Sequence, residues 1–579
     1  MSATHGQARR HEAVDLLTRD PELVTEALDR WAAANGAKRF LLDGDSGREW
    51  SYREFADATG AIAGNLAAHG VGKGERVSVL LADPVATALW MFGIWKAGAV
   101  YCPINPAYTG SLLSYQIDDT APRLLVTDAA LVRRVAEAGS ALPSGTEAVL
   151  CSLGETDAAA PAVPFELLDG ARFLGPADAP AVEMRYSDTA NVIYTSGTTG
   201  HSKGVVQSHR WMNQYTWPVR QLTTADDVVY SDLPMFHVGA GIFNVTRAAW
   251  AGASVAMWRK FSSSSFWDRI AASGATSATL MGVMVPWLMS APPGPDDRKN
   301  TLNKVHMQPL PHDHLAVAQR FGFDYATTGF GQTEAGVAMF GLVKECEPGE
   351  GTPPDHYRGL RHDQLESRMR EAGIPVIAGP DLDARGPMGG PSPFFEAAVH
   401  DPADNPCPPG TPGELVLRPK APSVLADGYL GKPEHTVHAW RNLWFHTGDA
   451  VWRREDGMWF FLDRMGDRIR RRGENISAQH LEELVSEYPG VTLAAAVPVP
   501  SADGSEHDIA VCVQGDRLDA DEILRWARET IPAFMCPQHI LVVPTLPTTP
   551  TGKIQRFKVR DHVLEQVASP GNIGETRNP

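Results

Sequence analysis

The stretch that most constrains this chain is Thr195-Ser-Gly-Thr-Thr-Gly-His-Ser-Lys-Gly204. The apolar run Asn191-Val-Ile-Tyr194 leads into it and reads as a buried strand. Ten residues hold three glycines, five hydroxyls and one lysine. Glycine lets backbone approach an anion closely, and amide and hydroxyl hydrogens donate to phosphate oxygens. Lys203 adds a point charge, so the stretch reads as a nucleotide-phosphate cradle; the ordinary alternative is a Ser/Thr/Gly surface linker. It departs from the common phosphate loop, in which glycine precedes the lysine and a hydroxyl residue follows it. Here Ser202 precedes Lys203 and Gly204 follows.

With 579 residues the chain exceeds a single core, and two or more domains are expected. A net charge of −17 argues against general nucleic-acid binding, which needs a basic face. Six scattered cysteines form no zinc spacing and suit a reducing compartment. The apolar run Pro84 to Trp95 stops at Lys96, too short to span a bilayer. With no apolar signal core in residues 1–10, a cytoplasmic protein without a membrane span is expected.

Helix and strand patterns alternate. Tyr52 to His69 and Pro84 to Ala97 read as helices, and Arg76 to Leu81, Val100 to Ile104 and Leu124 to Thr127 as strands. Residues 158–181, rich in Ala and Pro, read as a connection. Strand patterns return at Val228 to Ser231, Ser277 to Leu280 and Lys304 to Met307. The charged run Pro354 to Gly373 reads as a short surface helix within an insertion spanning 350–387. Beyond Asp463 a smaller α+β pattern follows. The expected fold is α/β, with a large N-terminal domain of layered sheets and helices (19–464) and a small mobile α+β C-terminal domain (465–566). Residues 1–18 and 567–579 read as flexible or disordered tails.

Three further stretches carry chemistry. Gly329-Phe-Gly-Gln-Thr-Glu334 sets a carboxylate beside a hydroxyl, and magnesium wants such hard oxygen ligands. Trp444-Phe-His-Thr-Gly-Asp449 ends a strand-like run with an acid suited to ribose hydroxyls, or to capping a turn. Thr549-Pro-Thr-Gly-Lys-Ile-Gln-Arg556 places a lysine in a Pro/Gly loop. Taken singly, each is an ordinary loop residue.

In this order and spacing the stretches resemble the adenylate-forming superfamily of acyl-CoA synthetases, firefly luciferase and peptide-synthetase adenylation domains, over about residues 20–563. The run Arg470-Arg-Arg-Gly-Glu-Asn-Ile-Ser477 looks most like carnitine-CoA-ligase-like members. The resemblance implies an ATP-dependent ligase: a carboxylate attacks the α-phosphate of ATP, releasing pyrophosphate, and a thiol, usually CoA, displaces AMP. It implies that Thr195, Ser196, Gly197, Thr198, Thr199, Gly200 and Lys203 hold phosphates, and that Thr333 contacts the α-phosphate while Glu334 takes Mg2+. Phe330 matches the adenine-stacking aromatic, Asp449 and Arg464 the ribose clamp, and Lys553 the lysine that bridges carboxylate and α-phosphate. His237 matches an aromatic gate beside the acyl site; alone, a His next to Phe is more often core. Gly473 matches the stretch that moves toward the pantetheine channel, and Gly466 stands at the hinge, where the family carries Asp or Lys.

Three departures bear on the substrate, one of them the insertion after Glu334, to which the resemblance assigns no role. Ser202 replaces a usual proline, which changes loop stiffness. Val305-His-Met-Gln-Pro-Leu310 puts bulk and polarity where small residues are usual, so the pocket is shortened or reads a polar group, unless these side chains turn into the core. Pocket candidates are His237, Gly239, Met281, Val283, Met284, His306, Gln308 and Thr328, with Trp287 nearby, and they suggest a compact acid. The partner is a small-molecule acid or small anion. The acceptor is CoA or, in the alternative reading, a carrier-protein thiol or an amine, including an arylamine diazotised by ATP-activated nitrite. A non-catalytic homologue is the least favoured reading, because Lys203, Glu334, Asp449, Arg464 and Lys553 are all present.

Overall fold

The computed structural model describes residues 22–138, 142–151, 162–195, 202–282, 284–465, 469–471, 474–476, 478–500, 507–533, 535–549 and 553–567. These pack into two compact units. One holds residues 22–195, 202–397 and 417–445, the other 398–416 and 446–567.

The first unit carries two sheets. In the eight-stranded one, β1 (Thr189–Thr195) runs parallel to Val100–Pro103 and antiparallel to β2 (Lys203–Ser208). Its strand order is Gly428–Tyr429, β2, β1, Val100–Pro103, Arg76–Leu80, Leu124–Thr127, Glu147–Leu150, Leu167–Asp169. Helix α1 (His209–Arg220) follows β2 directly, its first turn capped by Ser208 Oγ, which accepts from Trp211 N. The other sheet is mostly parallel: β3 (Val228–Ser231), β4 (Ser277–Met281), β5 (Lys304–Gln308) and β6 (Tyr325–Gln332) lie side by side. β7 (Gly336–Lys344) turns back antiparallel on β6. After β3 the chain forms a π-helix, Gly239–Thr246, that runs straight into the short helix α2 (Arg247–Ala251).

The helix Pro84–Lys96 explains how the two sheets share one core. It is apolar all round, and every residue from Pro84 to Trp95 is buried. Asp83 caps it and Pro84 occupies its first turn, where a missing N–H costs nothing. Phe92 packs edge-on to Phe55 at 5.5 Å and to Trp95 at 5.2 Å between ring centroids. Phe40 of one sheet meets Phe55 at 4.8 Å, and Tyr101 of the other meets Trp95 at 6.1 Å. Burying each large aromatic is worth about 2–3 kcal/mol. This aromatic chain is what joins the layers.

In the second unit, β8 (Phe445–Arg453) pairs antiparallel with β9 (Trp459–Arg464). A three-stranded sheet follows, with Val491–Pro500 antiparallel and His539–Val542 parallel to His507–Gly515. Helices Ala478–Val485 and Ala520–Thr530 cover one face and Arg556–Val567 contributes to a separate core on the other. The Asp463 carboxylate accepts from the amides of Ala478 (2.6 Å) and Gln479, which anchors the start of the first helix to the end of β9.

The α/β class and the alternation stand as read. The expected connection over 158–181 is different: it contains an edge strand, Leu167–Asp169, and a helical turn, Ala171–Leu174. The apolar Phe173 decides this, packing 5.5 Å from Trp90 in the core. The charged insertion forms the helix His362–Glu371. Of the expected tails, residues 1–18 and 568–579 lie outside the described residues, and Val567 closes a helix. No helix among the described residues is long and apolar enough to cross a membrane.

Candidate active site

The cradle is built on a hairpin. β1 and β2 pair up to Thr195 and Lys203, so the lysine is the first residue of a strand. Tyr115 donates its hydroxyl to the Ser202 carbonyl at 2.9 Å. Ser196, Gly197, Thr198, Thr199 and Gly200 lie outside the described residues, as do Val283, Gly466 and Gly473.

The turn that carries Thr333 and Glu334 joins β6 to β7, and donors from β2 and α1 hold it. Gln207 Nε2 donates to the Thr333 carbonyl (2.7 Å), Trp211 Nε1 to the Glu334 carbonyl (3.1 Å) and Gln214 Nε2 to the Ala335 carbonyl (3.2 Å). Trp211 and Gln214, three apart on α1, share one helical face, and Gln207 joins them from the end of β2. Ala426 N adds a second bond to the Glu334 carbonyl at 2.8 Å. With its backbone fixed this way, the Glu334 side chain accepts from Tyr429 Oη at 2.8 Å. Lys203 Nζ sits 4.4 Å from the centre of the same Tyr429 ring. Lysine, tyrosine and carboxylate thus form one group beside the cradle's strands. Sequence reasoning missed Tyr429. It follows a glycine, Gly428, and pairs with β2, but no spacing in the chain ties it to Glu334.

Phe330 is buried on β6. His237 packs against Phe236 at 4.6 Å, and Gly239 opens the π-helix. Met281 and Gln308 are register partners at the ends of β4 and β5. Two residues back, His306 is buried: its Nδ1 shares a hydrogen with Thr327 Oγ1 (2.7 Å), and its ring lies 4.9 Å from Phe243 and stacks on Phe340 at 6.2 Å. Burial, and secondarily the charge of Arg247, push its pKa down to about 4. Thr328 points to the other face of β6 and donates to the Pro387 carbonyl at 2.6 Å. Met284 is buried, whereas Trp287 is half-exposed against Phe261.

In the second unit, Asp449 and Arg464 are register partners across β8 and β9, with Oδ1 and Nε 3.5 Å apart. Asp449 is buried and Arg464 half-exposed. Glu414 steadies the approach to Asp449, accepting from His446 Nδ1 (2.9 Å) and Gly448 N (3.0 Å). Lys553 lies in the field of this pair. Its pKa is held below the usual lysine range by desolvation and then by the Arg464 charge, with Asp449 opposing, although the residue as a whole is exposed. Among the described residues no three His, Cys, Asp or Glu side chains converge as a metal cage. A single carboxylate such as Glu334 still fits magnesium, which keeps waters and takes substrate phosphates as its other ligands.

A profile of the AMP-binding enzyme family matches residues 28–430, and one of the AMP-binding enzyme C-terminal domain matches 480–553. The chain belongs to the AMP-binding enzymes. It is an ATP-dependent, adenylate-forming ligase by that membership. Similar AMP-binding enzymes include a crotonobetaine/carnitine–CoA ligase of Salmonella paratyphi A, 27% identical over 520 residues and covering 88% of this chain and 92% of that protein. A sulfoacetate–CoA ligase of Cupriavidus necator is 28% identical over 537 residues, covering 91% and 95%. Among solved AMP-binding enzymes, the anthranilate CoA ligase AuaEII in complex with anthranoyl-AMP superposes with a TM-score of 0.77 at 20% identity, over 95% of this chain and 98% of that one. ATP-bound MatB from Rhodopseudomonas palustris gives 0.73 at 23% identity, over 93% and 99%.

Proposed function

We propose that the protein activates a compact carboxylic acid as its acyl-adenylate and transfers the acyl group to CoA. What supports the first half is that the charges of Arg464 and Asp449 both act on Lys553. In this reading Asp449 and Arg464 hold the ribose hydroxyls, and Lys553 meets the negative charge that builds between the attacking carboxylate and the α-phosphate. Its lowered pKa, still in the field of a guanidinium, suits an ammonium that gains most from an anion arriving beside it.

Lys203, with Thr195 and the glycine-rich residues 196–200, holds the terminal phosphates. Thr333 is aimed at the α-phosphate from a turn whose carbonyls are already bonded, so little reorganisation is left for the reaction. Glu334 holds Mg2+, which when bound neutralises phosphate charge. Tyr429 fixes the carboxylate that binds it. Phe330 stacks on adenine, and His237 gates the acyl site.

Transfer to CoA is supported by the two similar proteins described above, both CoA ligases. Gly473 stands in the stretch assigned to the pantetheine channel, and Gly466 is the hinge of the small domain. A compact, polar substrate is supported by His306, whose buried ring fills space that small residues leave open.

The test is ATP-dependent pyrophosphate release over a panel of small, aromatic and fatty acids and nitrite, each with and without CoA. Release with one organic acid and a CoA thioester as product is the expected result. Adenylate that CoA does not discharge, or release with nitrite alone followed by diazotisation of an arylamine, overturns the acceptor and leaves adenylation standing.

A further inference from the structure

Lys553 stands on a short segment anchored at both ends. On one side Thr549 N donates to the Lys553 carbonyl at 2.7 Å, and Lys553 N donates to Thr549 Oγ1 at 3.1 Å. On the other side, three residues on, Arg556 opens the helix Arg556–Val567. Its guanidinium is clamped by Glu482: Nε donates to Oε1 at 3.0 Å and Nη2 to Oε2 at 2.7 Å. Two bonds from one planar fork to one carboxylate fix orientation as well as distance. Glu482 is buried on the helix Ala478–Val485, and it also accepts from Ala496 N at 2.8 Å, so the strand Val491–Pro500 fixes the carboxylate in turn. The first turn of the same helix is held by the Asp463 carboxylate, the neighbour of Arg464 on β9. One helix is therefore bonded to the strand that bears Arg464 and, a turn further on, to the segment that bears Lys553.

A buried ion pair is a poor source of stability, because the water lost by both charges offsets most of their attraction. Burial pushes the Glu482 carboxyl up to about 7, with Arg556 and the Ala496 amide pulling it back and Asp463 adding to the rise. What the pair supplies is geometry. The helix Arg556–Val567 already has an apolar footing, since Val559 and Val563 bury against Ala495, Val497 and Val499. Apolar contact is non-directional and leaves the helix free to slide or turn by a fraction of a residue. The fork removes that freedom at the helix's first residue. Lys553 is exposed as a residue, so its place is set by the two ends of its segment and not by packing around it.

We infer that Glu482 and Arg556 are positioning residues for adenylation, their buried pair setting the segment that carries Lys553 and tying it, through one helix, to the strand that carries Arg464. This rests on the reading of Lys553 as the lysine that meets the carboxylate and the α-phosphate. Both residues act through Lys553. A misplacement of about 1 Å at such a group can cost on the order of 100-fold in rate.

The test uses the full chain at a pH where Glu482 is ionised and reads the two half-reactions apart. One is ATP–pyrophosphate exchange with acetate, succinate, benzoate and palmitate, the fastest of which is carried forward. The other is CoA thioester formation from the matching pre-formed acyl-adenylate. Glu482→Gln keeps the side chain's shape and an acceptor for Ala496 N and loses the charge. It is expected to lower kcat for exchange about ten-fold or more, with KM for ATP and the thioester rate each within about three-fold of wild type. Arg556→Lys keeps the charge and loses the fork, and an intermediate loss in exchange is expected. The decisive arm is the double variant: in a Lys553→Ala background, Glu482→Gln is expected to cost no more than about two-fold, because its effect passes through the lysine. A full further loss in that background, or equal losses in both half-reactions, assigns the pair a general structural role and overturns the inference. Unchanged exchange in Glu482→Gln overturns it as well, and in all these cases the acid-activating reading stands. No exchange with any of the four acids in wild-type protein overturns that reading and the inference with it. Should Glu482→Gln not fold, Arg556→Lys decides by the same split and the same double variant.

Discussion

Tyr429 donates its phenolic hydrogen to Glu334 at 2.8 Å from a strand 95 residues further along the chain, and its ring takes Lys203 on the face. One side chain thus aligns both the proposed magnesium carboxylate and the proposed phosphate lysine. Tyr429→Phe keeps the ring and loses the hydroxyl. A charge-assisted hydrogen bond is worth roughly 1.5–3 kcal/mol, so KM for Mg·ATP is expected to rise about ten-fold or more. Tyr429→Leu also removes the cation–π contact and should lose a further factor of about three. Steady-state kinetics at varied Mg2+ checks both, and equal behaviour of the two variants would show that the hydroxyl alone matters.

The 333–335 turn depends on Gln214 and Gly336 together. Gly336 has φ +64°, and a Cβ there would sit 2.0 Å from Gln214 Nε2. Gly336→Ala is expected to cost about 1–2 kcal/mol from the left-handed backbone alone, with a larger drop in pyrophosphate exchange as Gln214 is pushed off the Ala335 carbonyl. Chemical denaturation and exchange assays on the same preparation separate the two effects.

Lys553→Ala should lower the adenylation rate about 100-fold or more while ATP still binds, because the lost charge acts on the transition state and not on the bound nucleotide. Transfer to CoA from pre-formed acyl-adenylate is expected to change by no more than a few-fold. Comparable losses in both half-reactions would place Lys553 elsewhere in the cycle.

His306 and His209 are both held neutral by burial, each with a pKa of about 4. The folded pKa lies below the unfolded one, so the unfolded chain binds the extra protons between pH about 6.5 and 4. Stability therefore falls as pH drops through that window and flattens below it, by at most about 3 kcal/mol for each histidine. His306→Gln should flatten part of that slope in urea titrations followed across pH. An unchanged slope would assign the acid sensitivity to other groups.

The helices and strands that fix the layers were legible because their periods are strong: Tyr52 to His69 shows a clean helical face, and Pro84 to Trp95 is apolar throughout. The π-helix was not, since eight apolar and small residues from Gly239 to Thr246 carry no period that separates helix from strand. At the site, residues in named motifs could be placed, and those reached only through tertiary packing could not. Tyr429 belongs to the second kind. Of residues 305–308, His306 lies on the π-helix side, its ring 4.9 Å from Phe243, while Met307 alternates away with no exposure.

The hairpin beneath the cradle has a consequence for variation. Because the ladder runs in step from the Asn191–Gln207 pair to the Thr195–Lys203 pair, the lysine's position is inherited from two strands. A change that slips β1 against β2 by one residue would therefore turn the charge to the opposite face of the sheet, so the nucleotide grip is protected by the same pairing that holds the core together.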